Sequence, residues 1–339
     1  MKRQYAAGAV ALLLGVSMGA RADGDARDLV VTASNGAQNM LLVYDTSDNL
    51  LQALPTGGQG GVGGNAGGIQ ASGATVAVVN YGSQSVSLFR RAGGGFRLAQ
   101  SIGTASRPVS VAFGHDHLYI LGTTTVESHR AAEGGVDPRA DGVAGLLRAD
   151  GSAAQVGVVE GALVITEKSI TLETVKITAA GAVSGAASLV LNIPANVNTP
   201  LGLVTRGDDA YVTIAHADEI SLVRGGAVLT VTGSGTQHAP CWLTLVGPFL
   251  FSSNSPSSSV SRYAVYGRKI VQDAAVAAQF GGAPTDIASA DGFVAVIDGA
   301  GSTSHLSVFS VDEDGNLTLR ASTTINAAVN GVAVVHTED

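Results

Sequence analysis

The stretch APCWLTLVGPFLFSSNSPSSSVSRYAVYG, residues Ala239–Gly267, reads as a strand, a turn, a second strand, a Ser/Asn/Pro/Gly loop and a third strand. A fourth strand is predicted over Lys269–Gln279, and the pattern restarts at Ala283 as APTDIASADGFVAVIDGAGSTSHLSVFSVDEDG. Short apolar runs bounded by Gly, Pro, Asn and Ser are the pattern of strands and turns. Four such strands in about 40–48 residues make a propeller-blade period. The predicted class is all-β, a β-propeller of four-stranded antiparallel blades.

Outward from that stretch, the same unit recurs. Pro200 opens a blade with strands at Leu201–Thr205, Ala210–Ile214, Glu219–Arg224 and Val228–Thr232. Before it come Ala154–Val159, Ala162–Thr166, Ile170–Ile177 and Ala186–Leu191. An earlier blade starts at Arg107-Pro108, with strands at Val109–Phe113, Leu118–Leu121 and near Val126–His129. Its outer strand falls in the irregular stretch Ala131–Asp150, either weak or displaced to about Val143–Leu147. A glycine-rich connection, Gly57–Gly68, leads into Gly68–Ala71, Thr75–Asn80, Ser85–Arg90 and Phe96–Ile102. Six full blades leave three strands at the amino end (Asp28–Ala33, Met40–Tyr44, Leu50–Leu54) and one at the carboxyl end (Gly331–Val335). Those four add up to a seventh blade that pairs the chain ends and removes the edges of an open array.

Residues 1–22 have the form of a secretory signal: Lys2 and Arg3, a short apolar run Ala6–Val16, and Ala20-Arg21-Ala22 as a small-x-small cleavage site. The expected mature chain, residues 23–339, is a single propeller domain, periplasmic or secreted, with no segment long enough to span a membrane. Removing the signal leaves 16 basic against 27 acidic residues, a formal balance of −11. So acidic a chain is a poor partner for nucleic acid or an anionic membrane surface. The single cysteine, Cys241, forms no intramolecular disulfide and, beside Trp242 in a strand, reads as a small buried apolar residue. With no His/Cys cluster at ligand spacing, no metal or cofactor is expected.

The phrases VAVVNYGSQSVSLFRR (Val76–Arg91), SAAQVGVVEGALVITEKSITLETVKI (Ser152–Ile177) and APCWLTLVGPFLFSSNSPSSSVSRYAV resemble the secreted bacterial lactonase-family propellers, relatives of 6-phosphogluconolactonases and carboxymuconate cyclases. The resemblance covers nearly all the mature chain and implies a seven-bladed ring. It also implies a small anionic lactone or carboxylate bound at the channel mouth by His, Arg and Glu side chains. The family's enzymes are expected to carry histidine at the start of an inner strand. This chain has Arg107-Pro108-Val109-Ser110 and Ala153-Ala154-Gln155-Val156 in two such places.

In a four-stranded blade, the loops entering the first strand and those joining the second to the third open at one end of the ring. Residues there converge on the channel mouth. They are Asn35, Asn80, Arg107, Glu167, Lys168, His216, His238, Asn254, Asp298 and Asn330. His216, His238 and Glu167 are the candidate acid and base groups, with Glu167 able to activate a water for attack on a lactone carbonyl. Arg107, Lys168, Asn254, Asp298 and Asn80 are the candidate ligand-binding groups, Arg107 being suited to grip a carboxylate. The Asn positions also suit turn capping.

Other signals read as structure. Gly58-x-Gly60-x-x-Gly63 has dinucleotide spacing but no following helix. His115-Asp116-His117 falls at a turn on the opposite end, where a solvated turn outweighs a metal site, and Asp312–Asn316 reads as an outer hairpin turn. Two function classes remain: an exported lactonase-type enzyme, or a non-catalytic propeller binding a small molecule or a protein at the same rim.

Overall fold

Second strands such as His117–Gly122 and Asp209–Ile214 are buried along their whole length, whereas outer strands such as Leu50–Pro55 alternate exposed and half-buried residues. That gradient follows from stacking blades face to face around an axis: the outermost strand of each sheet is the one most open to solvent. The computed structural model describes residues 28–63, 67–132 and 135–336. The signal-like segment lies outside the described residues, as do residues 64–66 of the glycine-rich connection.

The described residues form seven antiparallel sheets arranged as a propeller. Blade 1 is composite: Asn330–Val335 is its inner strand, followed outward by Leu29–Ala33, Met40–Asp45 and Leu50–Pro55. Blade 2 runs Ile69–Ser72, Thr75–Asn80, Ser85–Ala92 and Gly95–Gly103. Blade 3 runs Pro108–Gly114, His117–Gly122 and Thr125–Ala132. Its outer position is shared by Gly142–Gly145 and the two-residue strand Gly135–Val136, both paired with Thr125–Ala132. The displaced outer strand expected near Val143 is thus present and shorter.

Blade 4 is Ala153–Val159, Ala162–Glu167, Thr171–Ile177 and Val183–Leu189. Blade 5 is Pro200–Arg206, Asp209–Ile214, Glu219–Arg224 and Ala227–Gly233. Blade 6 is Pro240–Val246, Phe249–Asn254, Ser259–Tyr266 and Lys269–Gln279, and blade 7 is Ala283–Ala290, Phe293–Ala300, Thr303–Val311 and Leu317–Ile325. The one helical turn among the described residues is a 3-10 turn, Ala215–Ala217.

Inner strands share a local device. Pro108, Pro200, Pro240 and Pro284 stand at or next to the first residue, where the missing N–H costs no ladder bond. The register then slips, between Pro108 and Ser110, Pro200 and Leu203, Pro240 and Trp242, and Pro284 and Asp286. Such a bulge turns an extra side chain away from the ladder. Blade 4 slips likewise between Ala153 and Gln155, and the residues just after three of the slips tie one inner strand to the next. Ser110 Oγ accepts from Val156 N at 3.3 Å, Gln155 Oε1 from Leu203 N at 2.7 Å, and Asp286 Oδ2 from Val332 N at 3.0 Å.

The glycine-rich connection is explained by close approach. A Cβ on Gly58 would lie 2.4 Å from Asn80 Cγ, and one on Gly60 would lie 2.4 Å from the Asn35 carbonyl carbon. The segment therefore packs backbone against the blade 1 and blade 2 turns, which only glycine allows. Asp312–Asn316 is an outer turn as expected: Asp312 Oδ1 accepts from the backbone N of Asp314 and Asn316. The turn at His115-Asp116 is also present, with φ of 47° and 55°. His117, however, is not solvated. It is buried, with Nε2 2.8 Å from Asp141 Oδ2 and Nδ1 2.7 Å from the His115 carbonyl.

Candidate functional site at the channel mouth

The turns at the mouth end of blades 4, 5 and 6 carry a continuous line of polar groups. In blade 5 the chain leaves Asp209–Ile214 through the 3-10 turn and reverses at Asp218, whose φ of 56° is left-handed. An aspartate tolerates that backbone better than most residues. The reversal turns its carboxylate toward blade 6, where Oδ1 accepts from Ala239 N at 2.7 Å and Oδ2 faces His238 Nδ1 at 3.0 Å. The His238 side chain is 69% exposed and keeps its second ring nitrogen. Asp218 is held below the usual carboxylate range; burial pushes the other way but is outweighed by the Ala239 N–H, by His238 and by the charge of His216.

His216 sits on the same turn, with Nδ1 2.9 Å from Thr199 Oγ1. Thr199 precedes Pro200 with φ of 59°, a left-handed conformation that a β-branched residue adopts only at a cost. Its N–H donates to the Ser169 carbonyl at 3.2 Å, and Ser169 Oγ lies 3.4 Å from Ser152 Oγ, which donates to Glu167 Oε2 at 2.8 Å. A path of neighbouring groups thus runs from Glu167 to His216, and Asp218 joins His216 to His238.

Glu167 is fully buried, and burial pushes its carboxyl up to about 8, with Glu173 and Asp150 adding to the effect and Ser152 and Lys168 opposing it. Its Oε1 is buried without a hydrogen bond. In that state the group is protonated at neutral pH, which suits donation of a proton better than removal of one. Burial lowers the neighbouring Lys168 ammonium, with Glu167 opposing.

The remaining residues read from the sequence occupy other places. Arg107 lies outside this arc, its guanidinium 5.5 Å from the Tyr81 ring centroid. Asn80 is buried, accepting from Thr56 Oγ1 at 2.7 Å and Asn39 Nδ2 at 3.1 Å and donating to Ser87 Oγ at 2.8 Å. Asn254 is buried beneath its turn, donating to Ser259 and Ser261. Asp298 accepts from Gly282 N at 2.9 Å and faces His305 Nδ1 at 3.2 Å. Asn35 Oδ1 accepts from Gly61 N and Val62 N, fixing the connection into blade 2. Asn330 begins the inner strand of blade 1.

Sequence reading missed Asp218, although its place two residues after His216 on a second-to-third turn is the signal that selected the others. It also missed Asp286, just after the bulge of blade 7, whose buried carboxyl is pushed up to about 7. Cys241 is buried as expected, its Sγ 3.1 Å from the Ala239 carbonyl, and burial pushes the thiol up.

No protein-family model and no curated protein matches the chain. Solved structures do. A candidate 6-phosphogluconolactonase from Bacteroides fragilis is 13% identical, over 92% of this chain and 99% of that one, with a TM-score of 0.65. Another from Bacteroides uniformis is 16% identical, over 92% and 100%, with a TM-score of 0.66. Apo AztD from Citrobacter koseri is 13% identical, over 93% and 99%, with a TM-score of 0.57. At these identities the likeness is one of fold.

Proposed function

We propose that this is an exported propeller that takes a small polar or anionic molecule at the channel mouth and hydrolyses a lactone there. The observation that carries the reading is the His238–Asp218 pair: an exposed imidazole oriented by a carboxylate at 3.0 Å is the arrangement of a general base with its orienter. Protonated Glu167 is an acid on the same arc, reached through Ser152, Ser169 and Thr199. In hydrolysis, His238 removes a proton from water as the water oxygen attacks the lactone carbonyl. The ring C–O bond breaks, and the alkoxide leaving group takes back the proton held on the His238 imidazolium, giving the hydroxy acid and restoring the neutral imidazole. The signal-like residues 1–22 support export, and the structural likeness to candidate 6-phosphogluconolactonases supports the substrate class.

The test is a panel of lactones assayed with wild type, His238→Ala and Asp218→Asn. His238→Ala is expected to lower kcat by about 10²–10⁴ with no change in melting temperature, and Asp218→Asn by a smaller factor. Hydrolysis equal to buffer in every sample would sink the catalytic reading. It would leave the second one, a non-catalytic binding propeller, which the structural use of Asn80, Asn254 and Asp298 favours.

A further inference from the structure

Beneath the mouth the ring encloses two cavities of about 260 Å³ and 410 Å³ that share Gln70 and Gln155 as walls. The larger opens at the end opposite the mouth. The smaller is walled by inner strands of blades 1, 2, 4, 5, 6 and 7, and several polar groups on its wall have capacity left over.

Gln155 is nine-tenths buried. Its Oε1 is committed to Leu203 N, while Nε2 has no hydrogen-bond partner among the described residues. Trp242 is 4% exposed, and its indole N–H is buried without a partner. The Gln70 amide, on the same wall, makes no hydrogen bond among the described residues either. Acceptors line the same cavity. Asp286 accepts one backbone N–H on each oxygen, from Ile287 and Val332, and retains a lone pair on each. Thr244 Oγ1 lies 2.6 Å from Ser289 Oγ, which is also 3.0 Å from the Leu245 carbonyl. Ser289 gives its proton to that carbonyl, so Thr244 donates to Ser289 and its own lone pairs stay open.

None of the described residues around this cavity is Lys, Arg or His, so nothing there neutralises an anion. A buried donor without a partner costs free energy until a ligand satisfies it. Planar amides, an indole and a carboxyl mix donors and acceptors in a space below the usual range of drug-sized pockets, which are about 300–1,000 Å³. We propose that the channel interior is a binding site for a small neutral polyhydroxylated molecule, a monosaccharide or polyol, separate from the His238–Asp218 site at the mouth. Hydroxyl groups both donate and accept. They can satisfy the Gln155 and Gln70 N–H groups and the Asp286 and Thr244 oxygens, beside the Trp242 wall, without bringing a charge into the ring.

Trp242 is the chain's one tryptophan, so its emission reports on this cavity directly. Full-length protein is titrated with neutral monosaccharides and alditols, and in parallel with gluconate and phosphate. The expected result is a saturable change in emission with a neutral ligand at concentrations up to about 10 mM, and none with the anions. By calorimetry, Gln70→Ala and Gln155→Ala each weaken that ligand about tenfold, and Gln70→Ala keeps the wild-type melting temperature. His238→Ala binds it as wild type does, which separates this result from the fate of the hydrolysis reading. The proposal is overturned if no neutral polyol binds, if the anions bind instead, or if binding survives both Gln70→Ala and Gln155→Ala.

Discussion

Thr199 holds an unfavourable backbone conformation at the one place where its hydroxyl meets His216. Strain of this kind costs about 1–3 kcal/mol and persists where surrounding structure enforces it. Thr199→Gly is therefore expected to leave the melting temperature unchanged or slightly raised while reducing any hydrolysis at the mouth about tenfold, through loss of the His216 partner. Equal losses of stability and activity would make Thr199 a packing residue. Asp48 offers the complementary case, far from the mouth. The outer turns Asp45-Thr46-Ser47-Asp48-Asn49 and Asp312-Glu313-Asp314-Gly315-Asn316 use the same hydrogen bonds, with the first aspartate accepting the N–H groups two and four residues later. Gly315 has φ of 77° in the second turn, where Asp48 has 61° in the first. Both Asp48 carboxyl oxygens are buried without hydrogen bonds, and burial together with Asp45 pushes the group up to about 7. Asp48→Gly is expected to stabilise the protein by about 1–2 kcal/mol at pH 8, and by less at pH 5, where the carboxyl is already neutral. Denaturant titration at the two pH values checks it.

At the scale of the strand, the carboxyl-terminal segment Asn330–Val335 fixes the ring. It pairs with Leu29–Ala33, its Gly331 carbonyl accepts from Thr32 Oγ1, and its Val332 N–H donates to Asp286 of blade 7. Val332, Ala333, Val334 and Val335 are all buried. At about 1.5–3 kcal/mol for each large side chain, their loss is comparable to the whole stability of a typical domain, about 5–15 kcal/mol. A chain ending at residue 329 is expected to lose its cooperative melting transition; an undiminished melting temperature would contradict the closure. This closure was legible in the sequence because strand counting left three strands at one end and one at the other. The inner-strand starts were legible from the Pro residues and the outer turns from their Gly, Asn and Asp. The site was less so. A sequence marks which residues lie near the mouth but not which of them the local hydrogen bonds consume. Asn80 and Asn254 satisfy neighbouring Ser and Thr groups, whereas Asp218 and His238 meet only because a left-handed residue aims one turn at the next blade.

For the molecule as a whole, the titrating groups combine to place maximum stability on the acid side of neutrality. Glu167 is raised to about 8, and Asp286 and Asp48 to about 7, each chiefly by burial. A carboxyl whose folded pKa lies above its unfolded value, about 4, binds its proton more tightly in the folded state. Its stabilising contribution is complete below about pH 4 and is lost as pH rises through 7 and 8. His129 is also raised, by Glu127 and the Asp137 carbonyl against the opposing effect of burial, and its contribution likewise disappears with rising pH. The opposite group, Asp141, Asp150, Asp218 and Asp312, is lowered, so its contribution is present above about pH 4 and fails only in stronger acid. Between these limits the melting temperature should peak near pH 5 and fall by roughly 5 °C at pH 8.5. Glu167→Gln keeps an acceptor for Ser152 and removes the largest of these titrations. The variant should therefore match wild type at pH 5 and melt above it at pH 8.5. Parallel melting curves from wild type and Glu167→Gln would show instead that the Glu167 carboxyl finds solvation in the folded ring and titrates near its ordinary range.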